Sequence, residues 1–390
     1  MRLANRLREA GHRVQRVNFC AGDTAYWCMR PALNFRDKVE NLRDWLDAVY
    51  RRYDITDQIL FGDRRPVHRP AVEHAEVYGI RTHVFEEGYF RPWWITLERE
   101  GVNGHSPLPR DPDWFRECGR TLAEPESPIP FHSPFLVRAV YDVAYHVAGA
   151  LNPVWFPRYQ THAQVTAAAE YAGYLKRLTT LKFIRPREHA RVRSLVESGK
   201  PYFLLPLQLN NDAQIRDHSR FRNMGEVIDH VLKSFARHAP GDACLAIKNH
   251  PLDNGLMDYG RIVQECERRF GLAGRIAYFE DGDLTALVRH VRGVVTVSST
   301  VGIVALEQGS STLTLSDPIY NLPGLTFQGG LDDFWQTPAP PDMEFFSCFR
   351  RVVMKATQIN GGYYCRTGID LAVGNASQVL TSERSPLETM

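Results

Sequence analysis

The sequence lacks any apolar run of about 18 residues, the length a membrane-spanning helix needs. Its opening stretch, Met1–Ala10, is basic and has no apolar segment of the secretory type. The seven cysteines (20, 28, 118, 244, 266, 348, 365) are odd in number, widely spaced and form no Cys-x-x-Cys pair. That pattern speaks against a disulfide framework or a zinc knuckle and leads us to expect a reducing, cytosolic compartment. A surplus of one charge is missing too. Forty-seven basic and forty-five acidic side chains leave +2, too little for an electrostatic grip on nucleic acid, so no nucleic-acid partner is expected. There is no G-x-G-x-x-G, Walker A run, H-E-x-x-H or G-x-S-x-G, which removes the usual support for dinucleotide, P-loop, zincin and α/β-hydrolase readings.

What is present reads as alternation. A chain of 390 residues with 44% hydrophobic content is long enough for two domains with buried cores. It begins within a helix (Leu3, Leu7, Ala10), passes Gly11 and enters an expected strand at Val14–Phe19. Helix before strand is an unusual opening for an α/β domain, so a first strand is expected upstream of residue 1. Helix Phe35–Tyr53, strand Gln58–Phe61, helix Val67–Tyr78 and strand Thr82–Phe85 follow, then a Pro- and Asp-rich loop over 103–135. Residues 136–199 read as helical, and 158–199 carry eight Lys/Arg against three Glu. This is either a solvated helix face or a surface for anionic membranes. A second alternating block runs through strands Tyr202–Leu207, Cys244–Lys248, Ile276–Phe279, Val294–Val297 and Leu313–Leu315, with helices between them. The expected fold is α/β and GT-B-like: two Rossmann-type domains facing a cleft, with a helical connection. Expected boundaries are 1–135, a connecting region 136–199, 200–345, and a C-terminal helical segment with a tail at 346–390.

Ligands of parallel sheets bind beyond the strand C-termini, so polar residues there are the candidates. Lys248-Asn249-His250-Pro251 follows one strand. His250 can donate to a phosphate, and Pro251 fixes the turn, unless this is an ordinary surface loop. Ser298-Ser299-Thr300 precedes a helix and forms either an anion site or a plain N-cap. Gln208 and Asp212 suit sugar hydroxyls or an Asx turn, and Glu280-Asp281 a ribose or a solvated turn. In the N-terminal half, Glu86-Glu87 at a strand end can supply a base or nucleophile, or form an acidic turn. Arg91 can pair with one of them or grip an anionic substrate. Asp63, Arg64 and His68, after another strand, line the same cleft or make a salt-bridged turn.

Six segments taken together carry a resemblance: FGDRRPVHRPA (61–71), HVFEEGYFRPWWITLE (83–98), PLQLNNDAQI (206–215), KNHPLDNG (248–255), VSSTVGIVALEQG (297–309) and NGGYYCRTGI (360–369). The chain resembles the capsule polysaccharide Kdo transferases of the KpsS type from about residue 10 to 375. The resemblance implies a CMP-Kdo donor, a phosphatidylglycerol-type acceptor and a retaining β-transfer that starts a poly-Kdo linker. It implies peripheral attachment to the inner face of the inner membrane, alongside other capsule biosynthesis and export proteins. By that resemblance Glu87, Glu86 and His250 are catalytic. The resemblance places Pro251, Ser298, Ser299 and Thr300 beside His250 around the nucleotide. With the strand-end positions added, Gln208, Asp212, Lys248, Glu280 and Glu307 are expected to join them in binding the donor, and Asp63, Arg64, His68 and Arg91 to line the acceptor side or the cleft. Relatives often carry Asp where Glu87 stands, so its carboxylate reaches one methylene further. No cofactor and no metal are expected, because His250, Lys248 and the helix start after Ser298 can meet the departing phosphate. The competing readings are another GT-B nucleotide-sugar transferase or an epimerase, and a non-catalytic assembly or export component.

Overall fold

A computed structural model describes residues 1–161, 165–209 and 220–390. The chain divides into two compact units. One comprises Met1–Leu108, Thr121–His162 and Arg350–Met390, and the other Pro109–Arg120 and Ala163–Phe349. The expected boundaries at 135, 199 and 345 therefore shift. The 136–199 stretch is not one connecting region, because the division runs inside it. The segment after Arg350 belongs with the N-terminal unit.

In the N-terminal unit two short strands, β1 (Val17–Asn18) and β2 (Leu33–Asn34), pair in parallel. The strand expected over Val14–Phe19 thus contracts to two residues. The unit's larger sheet contains β3 (Asp57–Phe61), β4 (Arg81–Glu87), β5 (Trp94–Arg99) and the late strand Gln358–Asn360. β3 and β4 are parallel, while β5 runs antiparallel both to β4 and to Gln358–Asn360. The sheet is mixed rather than wholly parallel. Period-two alternation puts Phe85, Ile95, Leu97 and Ile359 into one cluster with Leu7, Ala372, Ala376 and Leu380. The β4–β5 connection tolerates no side chain at Gly88, since a Cβ there would lie 2.1 Å from the Trp94 carbonyl oxygen. The expected loop 103–135 contains a helix, Pro112–Thr121, opened by Asp111 accepting from the Asp113 amide at 2.9 Å.

The C-terminal unit is built on a five-stranded, all-parallel sheet. Its strands are β6 (Tyr202–Pro206), β7 (Cys244–Lys248), β8 (Ile276–Phe279), β9 (Gly293–Thr296) and β10 (Thr312–Thr314), in the order β10-β9-β6-β7-β8. Both faces are covered, so the strands read as nearly continuous apolar runs. Phe203, Leu205, Leu245, Ile247 and Val295 pack on one side. Tyr202, Leu204, Ala246, Phe279 and Val294 pack on the other, against Leu287, Val288 and Val192. Side-chain caps start the intervening helices: Asn223 accepts from Glu226, Asp258 from Arg261 and Asp283 from Ala286. Gly271, at φ 67°, ends helix Tyr259–Phe270 in the left-handed region. This frame turns every strand's C-terminal end toward the same edge of the sheet, where the polar residues of this unit collect.

Candidate functional site

Each unit carries its own cluster. In the C-terminal unit Gln208, two residues past β6, links to the end of β9. Its Oε1 accepts from the Ser298 amide at 3.0 Å and its Nε2 donates to Ser298 Oγ at 3.4 Å. Ser299 Oγ accepts from the Val301 amide (3.2 Å), and its carbonyl accepts from the Gly302 amide (2.9 Å) and from the Tyr320 hydroxyl (2.6 Å). The first amides of helix Val301–Glu307 are therefore already occupied by Ser299, which acts as a cap. Thr300 caps nothing with its side chain. Gly302 is required because a Cβ would meet Tyr320 Oη at 2.4 Å.

Beyond β7, Lys248 and Asn249 are buried. The Lys248 ammonium donates to the Asn249 carbonyl at 3.3 Å, and burial pulls its pKa below the usual lysine value. His250 accepts at Nδ1 from the Leu252 amide (3.1 Å), and its own amide donates to Asn249 Oδ1 (2.7 Å). With Nδ1 accepting, the neutral ring carries its proton on Nε2, the tautomer able to donate to an anionic oxygen. Pro251 follows at an exposed turn.

Behind this loop lies a residue of the basic stretch expected to form either a solvated helix face or a surface for anionic membranes. Arg177, on helix Ala167–Glu197, is only 8% exposed. Its Nη1 donates to Asp253 Oδ2 (3.1 Å) and Glu280 Oε2 (2.8 Å), and its Nη2 to the carbonyls of His250 (3.2 Å) and Glu280 (3.3 Å). Glu280 Oε1 accepts from Tyr278 Oη (2.7 Å), and Oε2 also from Asn249 Nδ2 (3.0 Å). The Glu280 carboxylate is thus tied into this network while remaining half-buried. Burial pushes the Asp253 carboxyl upward while Arg177 pulls it down. The sequence did hold a signal for Arg177: Gly173, Arg177, Leu181, Glu188 and Val192 fall on one helical face and are all buried.

Two residues assigned to the donor side are not gathered here. Glu307 is exposed at the far end of helix Val301–Glu307, about 9 Å along its axis from Val301. Asp212 lies outside the described residues.

In the N-terminal unit Glu86 and Glu87 end β4, and strand alternation sends them to opposite faces of the sheet, so they do not form one paired site. Glu86 Oε1 accepts from the Glu87 amide at 3.0 Å. Glu87 Oε1 accepts from the Tyr364 hydroxyl at 3.1 Å, and the Glu86 carbonyl from the Tyr363 hydroxyl at 2.9 Å. Burial, reinforced by Glu87, raises the Tyr364 phenol to about 12, so it remains a donor. The Arg138 guanidinium lies 4.4 Å from the centre of the Tyr364 ring. Neither tyrosine was assigned a role from sequence.

Arg91 is exposed and donates from Nε to the Gly88 carbonyl at 3.2 Å, so it closes its own turn instead of pairing with Glu86 or Glu87. Asp63 is buried, with Oδ2 3.6 Å from Arg64 Nε and 3.7 Å from His105 Nδ1. Arg64 Nε in turn donates to His105 Nδ1 at 3.3 Å. His68 donates from Nδ1 to the Gly62 carbonyl at 2.7 Å, and burial, with Arg65 adding to it, brings its pKa down to about 4.

Among the described residues no group of three or more His, Cys, Asp or Glu is arranged to hold a metal ion. Two Asp-x-Asp triplets occur, and both serve helix starts. Asp111 bonds the Asp113 amide, while Asp283 caps the next helix and Asp281 pairs with Arg185 at 2.5 Å. No helix among the described residues is long and apolar enough to cross a membrane.

Residues 56–364 match the family described as capsule polysaccharide biosynthesis protein. The chain belongs to this family. The matched stretch runs from just before Asp63 to Tyr364 and so includes both clusters. The capsule polysaccharide modification protein LipB of Neisseria meningitidis serogroup B is 37% identical over 374 residues, covering 93% of this chain and 88% of that one. The capsule polysaccharide export protein KpsS of Escherichia coli is 34% identical over 367 residues and 93% of each chain. Among solved structures, a Thermosulfurimonas dismutans KpsC β-Kdo 2,7 transferase shares 12% identity, with a TM-score of 0.45 over 95% of this chain and 100% of that one.

Proposed function

We propose that this member of the capsule family is a glycosyltransferase that moves Kdo from CMP-Kdo to an anionic, phosphatidylglycerol-type lipid. It would begin the poly-Kdo linker of a capsular polysaccharide at the inner face of the inner membrane. The observation that carries the transferase chemistry is the His250 loop: a buried ammonium at Lys248 and an imidazole held as the Nε2–H tautomer, both at the C-terminal edge of a parallel sheet. Gln208 and Ser298 hold the adjoining strand end. Such donors stabilise the charge that develops on a leaving phosphate. The identity of the sugar rests on the motif resemblance around those residues.

In this reading the bond between the anomeric carbon and the phosphate oxygen breaks, and CMP takes the electron pair. Glu87 is the carboxylate assigned to the anomeric carbon, with Tyr364 fixing one of its oxygens. Retention follows from two displacements. In the first, Glu87 forms the sugar–oxygen bond as CMP leaves. In the second, the lipid hydroxyl displaces Glu87 and its proton goes to water.

The test is direct. The purified full chain is incubated with a CMP-Kdo generating system and a fluorescent phosphatidylglycerol, and the lipid is weighed by mass spectrometry. A gain of one Kdo that disappears in Glu87→Gln and in His250→Ala supports the reading. Turnover of a UDP-sugar in preference to CMP-Kdo would replace it with another nucleotide-sugar enzyme. A chain that bound no CMP would point to an assembly component.

A further inference from the structure

Much of the positive charge on 158–199 is paired with acidic side chains of the protein itself, mostly at the surface. Arg158 pairs with Asp37, Arg177 is buried on Asp253 and Glu280, Arg185 meets Asp281, and Arg191 meets Glu188. On helix Ala167–Glu197 this leaves four basic residues exposed and, among the described residues, without an acidic partner: Arg193 near the C-terminal end and, grouped earlier on the helix, Lys176, Lys182 and Arg187. Between them stand Leu175, Leu178 and Phe183, which are 68%, 50% and 81% exposed. At about 100° per residue these six side chains occupy roughly half the helix circumference. That half is opposite the buried line of Gly173, Arg177, Leu181 and Glu188. Between Leu175 and Arg187 no acidic side chain interrupts it; Glu188 is buried, and the exposed Glu197 falls on the same side nearly three turns further on.

We propose that this face docks onto a bilayer surface rich in anionic glycerophospholipid. Leu175, Leu178 and Phe183 enter the boundary between headgroups and acyl chains, and Lys176, Lys182 and Arg187 meet the phosphates. A solvated helix face accounts for the lysines and the arginine but not for a phenylalanine four-fifths exposed among them. A neutral apolar partner accounts for the phenylalanine but not for charge of one sign. The contrast with helix Phe135–Gly149 is useful. That helix exposes Leu136, Val140, Val143 and Val147 with Asp142 as its exposed charge, and nothing on it selects an anionic surface. The proposal deepens the transferase reading by naming how a chain with a lipid acceptor meets it, and it rests on that reading for its biological sense only.

The experiment is co-sedimentation of the full chain, without donor, with phosphatidylcholine vesicles that contain or lack phosphatidylglycerol. Binding is expected only to the anionic vesicles and should weaken with salt. Each cation near such a surface contributes about fivefold to partitioning, so Lys176→Glu/Lys182→Glu/Arg187→Glu should lower binding more than tenfold. Leu175→Ser/Leu178→Ser/Phe183→Ser should lower it comparably, with CMP affinity unchanged in both variants as the check on folding. Both should keep turnover on a short-chain, soluble phosphatidylglycerol and lose it on vesicles. Absence of wild-type binding to anionic vesicles overturns the proposal, and so does equal binding by the charge-reversed variant. A wild-type dimer that the apolar variant abolishes, with vesicle binding intact, would assign the face to a second copy and also overturn it. If vesicle binding behaves as stated while neither acceptor is glycosylated, the docking face stands and the transferase reading falls.

Discussion

The two units arrive at their polar clusters by different routes. In the C-terminal unit every strand is parallel, so each strand end delivers the residues that follow it to one edge. Lys248, Asn249 and His250 are consecutive in sequence, as are Ser298, Ser299 and Thr300. In the N-terminal unit the sheet is mixed, and Glu87 is held by Tyr364, a residue 277 positions away. A parallel sheet brings several short runs of chain neighbours to one edge, where Gln208 meets Ser298 across 90 positions, whereas the mixed sheet holds its Glu87 through a returning segment.

Substitutions can break or sharpen this contrast. The largest expected effect is at Glu87. Glu87→Gln keeps an oxygen to accept from Tyr364 and should leave the unfolding curve unchanged, while turnover falls by about 10²–10⁴. Near-full turnover would remove Glu87 from the chemistry. Arg177→Met comes next and acts on structure, because it leaves Asp253 and Glu280 facing each other without their cation. A loss of about 3–5 kcal/mol is expected in urea unfolding, with the His250 loop losing its amide protection. A loss below about 1 kcal/mol would mean the network is dispensable. Tyr364→Phe removes one hydrogen bond to a carboxylate and should cost roughly 1.5–3 kcal/mol at most, read as a moderate fall in turnover with CMP affinity unchanged. An equal effect on CMP affinity would mean that Tyr364 acts on nucleotide binding and not through Glu87 alone.

The last effect is nil at neutral pH and appears only in acid. Folded His68 titrates near 4 against an ordinary 6.5, so the unfolded chain takes up the proton first. Stability is therefore lost as pH falls from about 6.5 toward 4. His68→Gln should flatten that part of the stability profile and leave pH 7 unchanged. A profile of unaltered slope would show that the buried imidazole is not the group responsible.

The same contrast governs what could be read in advance. The β6–β10 strands are apolar on both faces, a pattern that survives without any tertiary information. That pattern also marks where the strands end, and so where Gln208, Lys248 and Ser298 stand. Gln358–Asn360 is three residues long, too short to show a period, and owes its place to pairing with β5. β5 itself buries Thr96 and Glu98 among its apolar positions, so its alternation of apolar and polar residues does not mark a solvent face. Arg177 was hidden for a related reason. A basic residue on a basic helix reads as solvated until its acidic partners, from two other strand ends, are in place. Glu307, close in sequence to Ser298, stands about one and two-thirds turns of helix beyond Val301, a displacement that sequence proximity does not reveal.

The return of Arg350–Met390 to the first unit also fixes an order of assembly on the ribosome. The parallel sheet is complete once Thr314 has emerged, but the sheet that bears Glu87 waits for Gln358–Asn360, and its carboxylate waits for Tyr364. A stalled or clipped chain lacking this stretch carries a finished parallel sheet and an unanchored Glu87. A segment synthesised late is therefore the one that holds the carboxylate, and a chain stopped before it cannot present that group in its held form.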